Sequence, residues 1–268
     1  MSFWQSVLAF LDTSMETPEP YDEFHLVWFA LSFLAVIPLV RFAKNPIRVV
    51  FVTAVAVAVM EIYKQINFSF SYTGGISYDY QWYAFPFQFC STPMYVGLLA
   101  GLVKPGKVRD SLCAYLATYA LFAGLSVMVY PVSVFVPAIG INVQTMICHG
   151  SMISVGIYLL YTGYVKLEIK TLQKALPVFV VCLALAIGMN EIAYRTGLLQ
   201  RETFNMFFVS PYCAPSLPVY SLVQGAVAYP WCLLIYILGF TLAAFLVLVV
   251  AMGVGKAYRK IQKKEVAV

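Results

Sequence analysis

Seven apolar stretches, each about as long as a membrane-spanning helix, dominate this sequence of 268 residues. A helix that crosses the ~30 Å hydrocarbon core of a bilayer needs roughly 20 apolar residues. Helices satisfy every backbone hydrogen bond within one segment, which the lipid interior requires. We therefore predict an all-α, polytopic membrane protein with a bundle of seven transmembrane helices, over residues 25–42, 47–66, 82–103, 111–130, 143–163, 172–194 and 228–254.

Composition agrees with a membrane protein and argues against a soluble one. Hydrophobic residues make up 62% of the chain and charged residues only 11%, whereas about a quarter of a soluble domain is charged. The mean hydropathy is +0.82. The basic residues cluster between apolar stretches, so the net charge of +5 predicts membrane topology and no nucleic-acid partner.

The positions of the basic residues predict the orientation of the bundle. Lysine and arginine concentrate in cytoplasmic connections. Fourteen of the 17 lie in the 1–2, 3–4 and 5–6 connections and in the tail, residues 255–268. We therefore expect the N-terminus outside and a basic cytoplasmic tail. The fourteen are Arg41, Lys44, Arg48, Lys104, Lys107, Arg109, Lys166, Lys170, Lys174, Lys256, Arg259, Lys260, Lys263 and Lys264.

Two segments outside the helices carry further predictions. Residues 1–24 are acidic, and their apolar opening SFWQSVLAFL is too short to span a bilayer, so we expect an extracytoplasmic interfacial segment before one transmembrane domain, residues 25–254. The 6–7 connection, residues 196–228, is largely apolar. Its prolines, Pro211, Pro215 and Pro218, exclude one long helix. We predict that it forms an ordered lid or re-entrant segment over the outer mouth of the bundle.

The predicted topology places a cysteine and a histidine at the same depth. Helices 3 and 5 both run inward from the outer face. At ~1.5 Å per residue, Cys90 lies ~12 Å below Trp82 and His149 lies ~10 Å below Asn142. Both side chains are therefore expected in the outer half of the bundle.

Four further polar residues fall in the same half: Glu61 and Gln65 on helix 2, and Asn190 and Glu191 on helix 6. Ionisable groups among membrane helices usually face a partner or a cavity. Spacing offers a structural partner for each carboxylate, Arg195 for Glu191 and Lys64 or Gln65 for Glu61. An interhelical hydrogen bond would account for Asn190.

The six cysteines are scattered without metal-ligand spacing, so we predict no metal site, no cofactor and no disulfide framework. Cys90 is distinguished by its position between Pro86 and Pro93. Pro93 cannot donate its amide and should clash with the carbonyl of Phe89 in a continuous helix. We expect an opened backbone and a cavity beside the Cys90 thiol, with Gln88 adding polarity nearby.

Several short motifs, taken in order, carry a resemblance to a known family. They are F-P-F-Q-F-C in helix 3, C-H-G in helix 5, the asparagine of M-N-E in helix 6, and G-x-V-A-Y-P-W before helix 7. From about residue 25 to 254 the chain resembles the bacterial YwaF family of integral membrane proteins, which implies a location in the bacterial cytoplasmic (cell) membrane. Relatives often read L-P-L-[HQ]-x-C, whereas phenylalanines replace both leucines here and Gln88 occupies the polar position.

YwaF proteins are similar to a eukaryotic transmembrane acyltransferase that makes polyunsaturated ether phospholipids. This resemblance implies that Cys90 is a nucleophile and His149 its base, that an acyl chain passes between membrane phospholipids through a thioester, and that Asn190 or Gln88 stabilises the oxyanion or positions the substrate. The alternative is a non-catalytic lipid- or solute-binding heptahelical protein, a transporter or receptor, in which Glu61, Glu191 and His149 form a polar cavity. The sequence does not predict the oligomeric state.

Overall fold

The computed structural model describes residues 2–131, 134–197, 204–214, 217 and 220–265, with side chains described as far as residue 257. The regular secondary structure of these residues is helical, apart from a small hairpin of strands β1 (Phe70–Ser71) and β2 (Ser77–Tyr78). Phe70 pairs with Tyr78 in this hairpin. The helices are α1 (Phe3–Leu11), α2 (Glu23–Leu34), α3 (Val36–Phe42), α4 (Pro46–Ser69), α5 (Thr92–Leu102), α6 (Lys107–Tyr115), α7 (Leu121–Val129), α8 (Ile139–Tyr161), α9 (Ile169–Thr196) and α10 (Tyr229–Glu265).

Six helical segments of the described chain are long and apolar enough to cross a membrane. Two of them are composite: α2 and α3 together form the first, and α6 and α7 form the third through a π-helical turn, Leu116–Ala120. The all-helical class and the membrane-spanning character are therefore confirmed. The count of seven spans is not, because the predicted stretch 82–103 contains only the 11-residue helix α5 and a short 3-10 turn, Trp82–Ala84.

The prediction of a helix running through Cys90 is wrong, and the two prolines explain why. Pro93 occupies the first turn of α5, where its missing amide costs no hydrogen bond. Phe85, the residue before Pro86, is extended at φ −50° and ψ 131°, as steric contact with a following proline ring requires. Helix α5 therefore begins at Thr92, and Cys90 lies in the turn that precedes it.

A proline also explains the break in the first span. Pro38 has no amide hydrogen to donate to the carbonyl of Leu34, so the α-helical ladder is interrupted there. The chain turns at Ala35, whose amide bonds to Leu31, and resumes as α3. The predicted stretch 25–42 is thus one span with a break in its middle.

The centre of the bundle is α8 together with α6 and α7. Helices α6 and α7 form one span and α8 forms another. In the most apolar part of each of these two spans, 72% of the residues are buried, whereas the corresponding parts of the other four spans are 11% to 33% buried. Small residues allow close approach: a Cβ atom on Gly124 of α7 would lie 2.6 Å from the carbonyl oxygen of His149 on α8. Such backbone contact is typical of membrane helix interfaces.

The N-terminal segment contains α1, nine residues with no buried side chain. Its aromatic residues Phe3, Trp4 and Phe10 are exposed. Two backbone hydrogen bonds, from Met15 to Pro137 and from Ile139 to Thr13, connect the following residues to the start of α8. The helix is too short to span a bilayer.

Candidate functional site

A non-helical turn carries Cys90 at the start of α5. The amides of Ser91 and Thr92 both donate to the Gln88 carbonyl, at 2.9 and 3.1 Å. The carbonyl of Phe89 instead accepts the Thr92 hydroxyl at 2.9 Å. That hydroxyl also lies 2.7 Å from the Tyr115 hydroxyl. The Phe89 carbonyl, which Pro93 leaves without an amide partner, is therefore satisfied by a side-chain hydroxyl.

Cys90 is half-buried and lines a cavity of about 40 Å³ between α4, α5, the π-helical turn and α8. This volume exceeds the ~10–15 Å³ that a cavity needs to hold one water molecule. Most of the wall is aliphatic, and its polar members are Cys90, Cys148, Thr53 and Ser151. The cavity beside the thiol that the prolines predicted is present, and it is small and largely apolar.

Helix α8 meets the Cys90 turn at Cys148. The Cys148 thiol lies 3.9 Å from the carbonyl oxygen of Cys90. Cys148, Ser151, Met152 and Val155 form the face of α8 that lines the cavity. His149 follows Cys148 directly and lies one step, ~100°, around the helix from that face. The turn and this part of α8 are therefore at the same level.

The hydrogen bonding of His149 leaves one ring nitrogen available. Its Nδ1 lies 2.7 Å from the carbonyl oxygen of Thr145. A carbonyl oxygen only accepts, so Nδ1 carries the proton and Nε2 has a free lone pair in the neutral ring. The residue is 6% exposed, and its Nε2 has no hydrogen-bond partner among the described residues. Buried polar atoms are rarely left unpaired.

Lys64 is a charged residue close to both candidate residues. Its ammonium group lies within interaction range of both Cys90 and His149. His149 is not among the residues that line the Cys90 cavity or the larger cavity described below, and neither is Asn190. The structure thus brings Cys90 and Cys148 to one wall and places His149 on the adjoining flank of α8.

Gln88 and Asn190 bind the backbone of the 6–7 connection. The Gln88 amide donates to the Asn205 carbonyl at 3.0 Å, and its oxygen accepts the Phe207 amide at 2.9 Å. The Asn190 amide donates to the Met206 carbonyl at 3.0 Å and accepts the Met206 amide at 2.7 Å. Backbone groups of residues 205–207 are therefore paired with the side-chain amides of both residues.

The described part of the 6–7 connection packs into the protein interior. Met206, Phe207 and Val209 are fully buried, and the Phe207 ring contacts Phe89 of the Cys90 turn with centroids 5.7 Å apart. Phe207 adopts φ 59°, a left-handed conformation that is uncommon for bulky residues. Of the residues named from sequence in the predicted lid, Pro215 and Pro218 lie outside the described residues.

Glu61 is the centre of a buried polar network. Its Oε1 accepts Lys64 at 2.7 Å and Gln65 at 2.8 Å, so the partners predicted from spacing are both present. Its Oε2 accepts Gln144 of α8 at 3.2 Å. The Tyr80 hydroxyl donates to the Gln65 oxygen at 2.8 Å. Partial burial raises the pKa of Tyr80, which keeps it protonated as a donor.

Glu61 and Gln65 also line a second cavity, of about 380 Å³, between the C-terminal half of α4, the N-terminal half of α5 and the β1–β2 hairpin. Glu191 does not line either cavity. It pairs with Arg195 at 2.5 Å, as the spacing predicted, and accepts the Tyr212 hydroxyl at 2.8 Å. The Glu191 side chain is 36% exposed, and each of its two carboxylate oxygens has a hydrogen-bond partner.

Sequence reasoning missed two residues of the polar network. Gln144 lies one turn before Cys148 on the same face of α8, and this i, i+4 spacing was the signal available for it. Tyr80 lies in the connection after the hairpin, and no periodicity marks it. Within the described chain, no group of three or more histidine, cysteine or acidic side chains is placed to hold a metal ion.

The fold and site define a polytopic helical membrane protein in which a cysteine lines a small internal cavity and a histidine lies on the adjoining flank of α8. The chain belongs to the TMEM164 family, whose family model matches residues 18–252. Neither the comparison with curated proteins nor the comparison with solved structures found a match.

Proposed function

We propose that this protein is a membrane-embedded acyltransferase or transacylase that acts on phospholipid acyl chains, with Cys90 as nucleophile and His149 as general base. The observation that carries the proposal is the hydrogen bonding of His149. The Thr145 carbonyl holds the proton on Nδ1, so the unpartnered Nε2 is the nitrogen that can accept a proton. A nucleophilic thiol needs such a neighbouring base.

The proposed reaction proceeds in two balanced steps. Nε2 of His149 takes the Cys90 thiol proton, and the sulfur attacks the ester carbonyl carbon of a donor lipid. The carbon–sulfur bond forms and the ester carbon–oxygen bond breaks. His149 gives its proton to the departing alkoxide oxygen, so the donor lipid leaves as an alcohol. A second lipid hydroxyl then attacks the thioester by the reverse sequence, so the acyl chain is transferred and the thiol is regenerated.

The surroundings of Cys90 support a lipid substrate. The cavity wall is mainly aliphatic, and the turn that bears the thiol is not constrained within a helix. Cys148 contacts the backbone carbonyl of Cys90 at 3.9 Å and lines the same cavity as the Cys90 thiol.

The proposal includes the membrane topology. Residues 82–103 form the seventh crossing, as a broken segment in which the 85–91 turn precedes α5. Non-helical backbone at membrane depth is tolerated where protein buries it, and Phe89 and Ser91 of this turn are buried. The N-terminus is outside and the basic tail is cytoplasmic. Protease protection of terminal tags tests this, and two tags on the same side contradict seven crossings.

The decisive experiment is mass spectrometry of the purified protein after incubation with isotopically labelled phospholipid. The proposal expects a labelled acyl mass on the peptide that contains Cys90, removed by hydroxylamine and absent in Cys90→Ala. His149→Gln, which cannot act as a base, slows its formation. Cys182→Ala serves as the matched control, because Cys182 is a buried thiol on α9 outside the Cys90 cavity.

A second measurement distinguishes an inactive preparation from a wrong assignment. An activated Cys90 reacts with a lipid-soluble alkylating reagent faster than Cys113, Cys148 or Cys182, and His149→Gln removes the difference. Uniformly slow alkylation together with no acyl adduct rejects the enzyme. An adduct that forms equally in Cys90→Ala rejects the nucleophile.

A second candidate function is a non-catalytic lipid- or solute-binding protein. The observation that favours it is the buried Glu61 network beside the cavity of about 380 Å³. Intramembrane carboxylates often mark substrate pathways. Labelled-ligand uptake or binding that depends on Glu61 and persists unchanged in Cys90→Ala, with no acyl adduct, would favour this function.

A further inference from the structure

The cavity between the C-terminal half of α4 and the N-terminal half of α5 has the dimensions of a ligand site. Its volume of about 380 Å³ falls in the range of small-molecule pockets, which combine apolar walls with a few convergent polar groups. Its wall includes the polar groups of Glu61, Ser69 and Tyr80 and the apolar side chains of Ile62 and Leu98. The proposed acyl transfer at Cys90 does not use these groups.

One buried hydroxyl in this wall, that of Ser69, has no hydrogen-bond partner among the described residues. Ser69 is 5% exposed. A helical serine without another partner usually donates to the carbonyl four residues earlier. Ser126 does so, to Phe122 at 2.9 Å. The free Ser69 hydroxyl therefore points to a hydrogen-bonding ligand in the cavity.

The charges around the cavity determine what kind of head group fits. Both oxygens of Glu61 are occupied, Oε1 by Lys64 and Gln65 and Oε2 by Gln144. The carboxylate and the ammonium group neutralise each other, so the site offers no unpaired charge to a ligand. An ion entering this region would lose its hydration without a counter-charge, which is costly. The matching head group is uncharged.

The rest of the wall fits an alkyl chain. Ile62, Ile66, Met94 and Leu98 line the cavity, and Ile62 is 62% exposed on the outside of α4. In the membrane this outer face contacts lipid. A chain bound among these residues can therefore extend past Ile62 into the bilayer, which allows a ligand longer than the cavity itself.

We propose that this cavity binds a single-chain amphiphile with an uncharged, hydroxyl-bearing head group, of which a monoacylglycerol is the simplest example. The Ser69 hydroxyl and the Tyr80 hydroxyl contact the head-group hydroxyls, and the alkyl chain leaves along Ile62. This site adjoins the cavity of Cys90, because Met94 lines both, but the two share no polar lining residue. Its occupancy does not require acyl transfer.

Photo-crosslinking of the full-length protein in phosphatidylglycerol nanodiscs tests the proposal. The probe is a monoacylglycerol with a diazirine in its acyl chain, and the crosslinked peptides are identified by mass spectrometry. Labelling should fall on residues 58–70 and 94–98 and be competed by monooleoylglycerol, with oleate and oleylamine at least tenfold less effective. Ser69→Ala should weaken binding about three- to tenfold, the effect of one hydrogen bond.

Two further variants complete the test. Ala58→Leu, which adds bulk to the cavity wall, should abolish specific labelling, and Ser126→Ala, whose hydroxyl already has a backbone partner, should leave it unchanged. Cys90→Ala should also bind normally, so a failed acyltransferase assay does not affect this result. Equal competition by oleate or oleylamine, or labelling unchanged in both Ser69→Ala and Ala58→Leu, would overturn the proposal.

Discussion

The side chain of Asn190 on α9 pairs with both backbone groups of Met206, donating to its carbonyl at 3.0 Å and accepting its amide at 2.7 Å. Both residues are buried. A loop that enters the interior of a helical bundle brings polar backbone groups with it, and these must find partners. Asn190 supplies them from a side chain. This relationship allows residues 204–210 to lie inside the bundle.

Replacing Asn190 should therefore destabilise the protein strongly. In Asn190→Ala the buried amide and carbonyl of Met206 both lose their partners, at a cost of about 1–3 kcal/mol each. We expect a clear loss of thermal stability in detergent. Thr196→Ala, an exposed substitution on the same helix whose hydroxyl bonds to Ile192, should change stability by less than about 0.5 kcal/mol. Equal effects of the two variants would contradict the Asn190 assignment.

Gln88 should control local opening of the same segment. Gln88→Glu keeps the oxygen that accepts the Phe207 amide but removes the donor to Asn205. A carboxylate facing a carbonyl is repulsive, so residues 204–210 should exchange their amide hydrogens faster. Hydrogen-exchange mass spectrometry measures this directly. Unchanged exchange there, in a protein that otherwise folds normally, would show that the Gln88 contact does not hold the segment.

The two salt bridges, Glu61–Lys64 and Glu191–Arg195, should contribute differently to stability. Side-chain exposures are 17% and 8% for Lys64 and Glu61, but 76% and 36% for Arg195 and Glu191. Removing one partner of a buried pair costs about 3–5 kcal/mol, because the other charge is left uncompensated. Glu61→Ala should thus lower the unfolding temperature far more than Glu191→Ala. A similar fall in both would mean that Glu61 is hydrated.

The contact of α7 with α8 makes a prediction about two glycines. A Cβ on Gly124 would meet the His149 carbonyl oxygen at 2.6 Å and the Cβ of Met152 at 2.8 Å, whereas a Cβ on Gly188 would meet nothing within 4 Å. Gly124→Ala should force the helices apart and cost about 1–3 kcal/mol. Gly188→Ala should be neutral or stabilise α9 by up to about 1 kcal/mol. Thermal unfolding of both variants in one detergent distinguishes them.

Most of the secondary structure could be predicted from sequence, because transmembrane helices depend on the local run of apolar residues. The stretch 143–163 and α8, Ile139–Tyr161, illustrate this, differing by a few residues at each end. The salt bridges from Glu61 to Lys64 and from Glu191 to Arg195 were also local, at i, i+3 and i, i+4 spacing. In each case the information lay within one or two helical turns.

The turn at Cys90 could not be predicted from the local sequence. The sequence of residues 82–103 is apolar enough for a span, and its prolines predicted disruption. Whether the helix continued past Pro93 or began there depended on partners far along the chain. The Thr92 hydroxyl satisfies the Phe89 carbonyl and meets Tyr115, while Gln88 binds residues 205 and 207. These contacts stabilise the non-helical turn.

By itself, the sequence determined that this chain is a helical membrane protein, because burial of backbone groups in lipid permits few alternatives to apolar helices. It also marked Cys90 and His149 as chemically distinctive. Only the tertiary structure decided which hydrogen bonds each polar side chain makes: Nδ1 of His149 on Thr145, Asn190 on Met206, and Ser69 on no described residue. These hydrogen bonds depend on how the helices pack against one another. The spacing of residues along the sequence does not give the distances between segments that lie far apart in the chain.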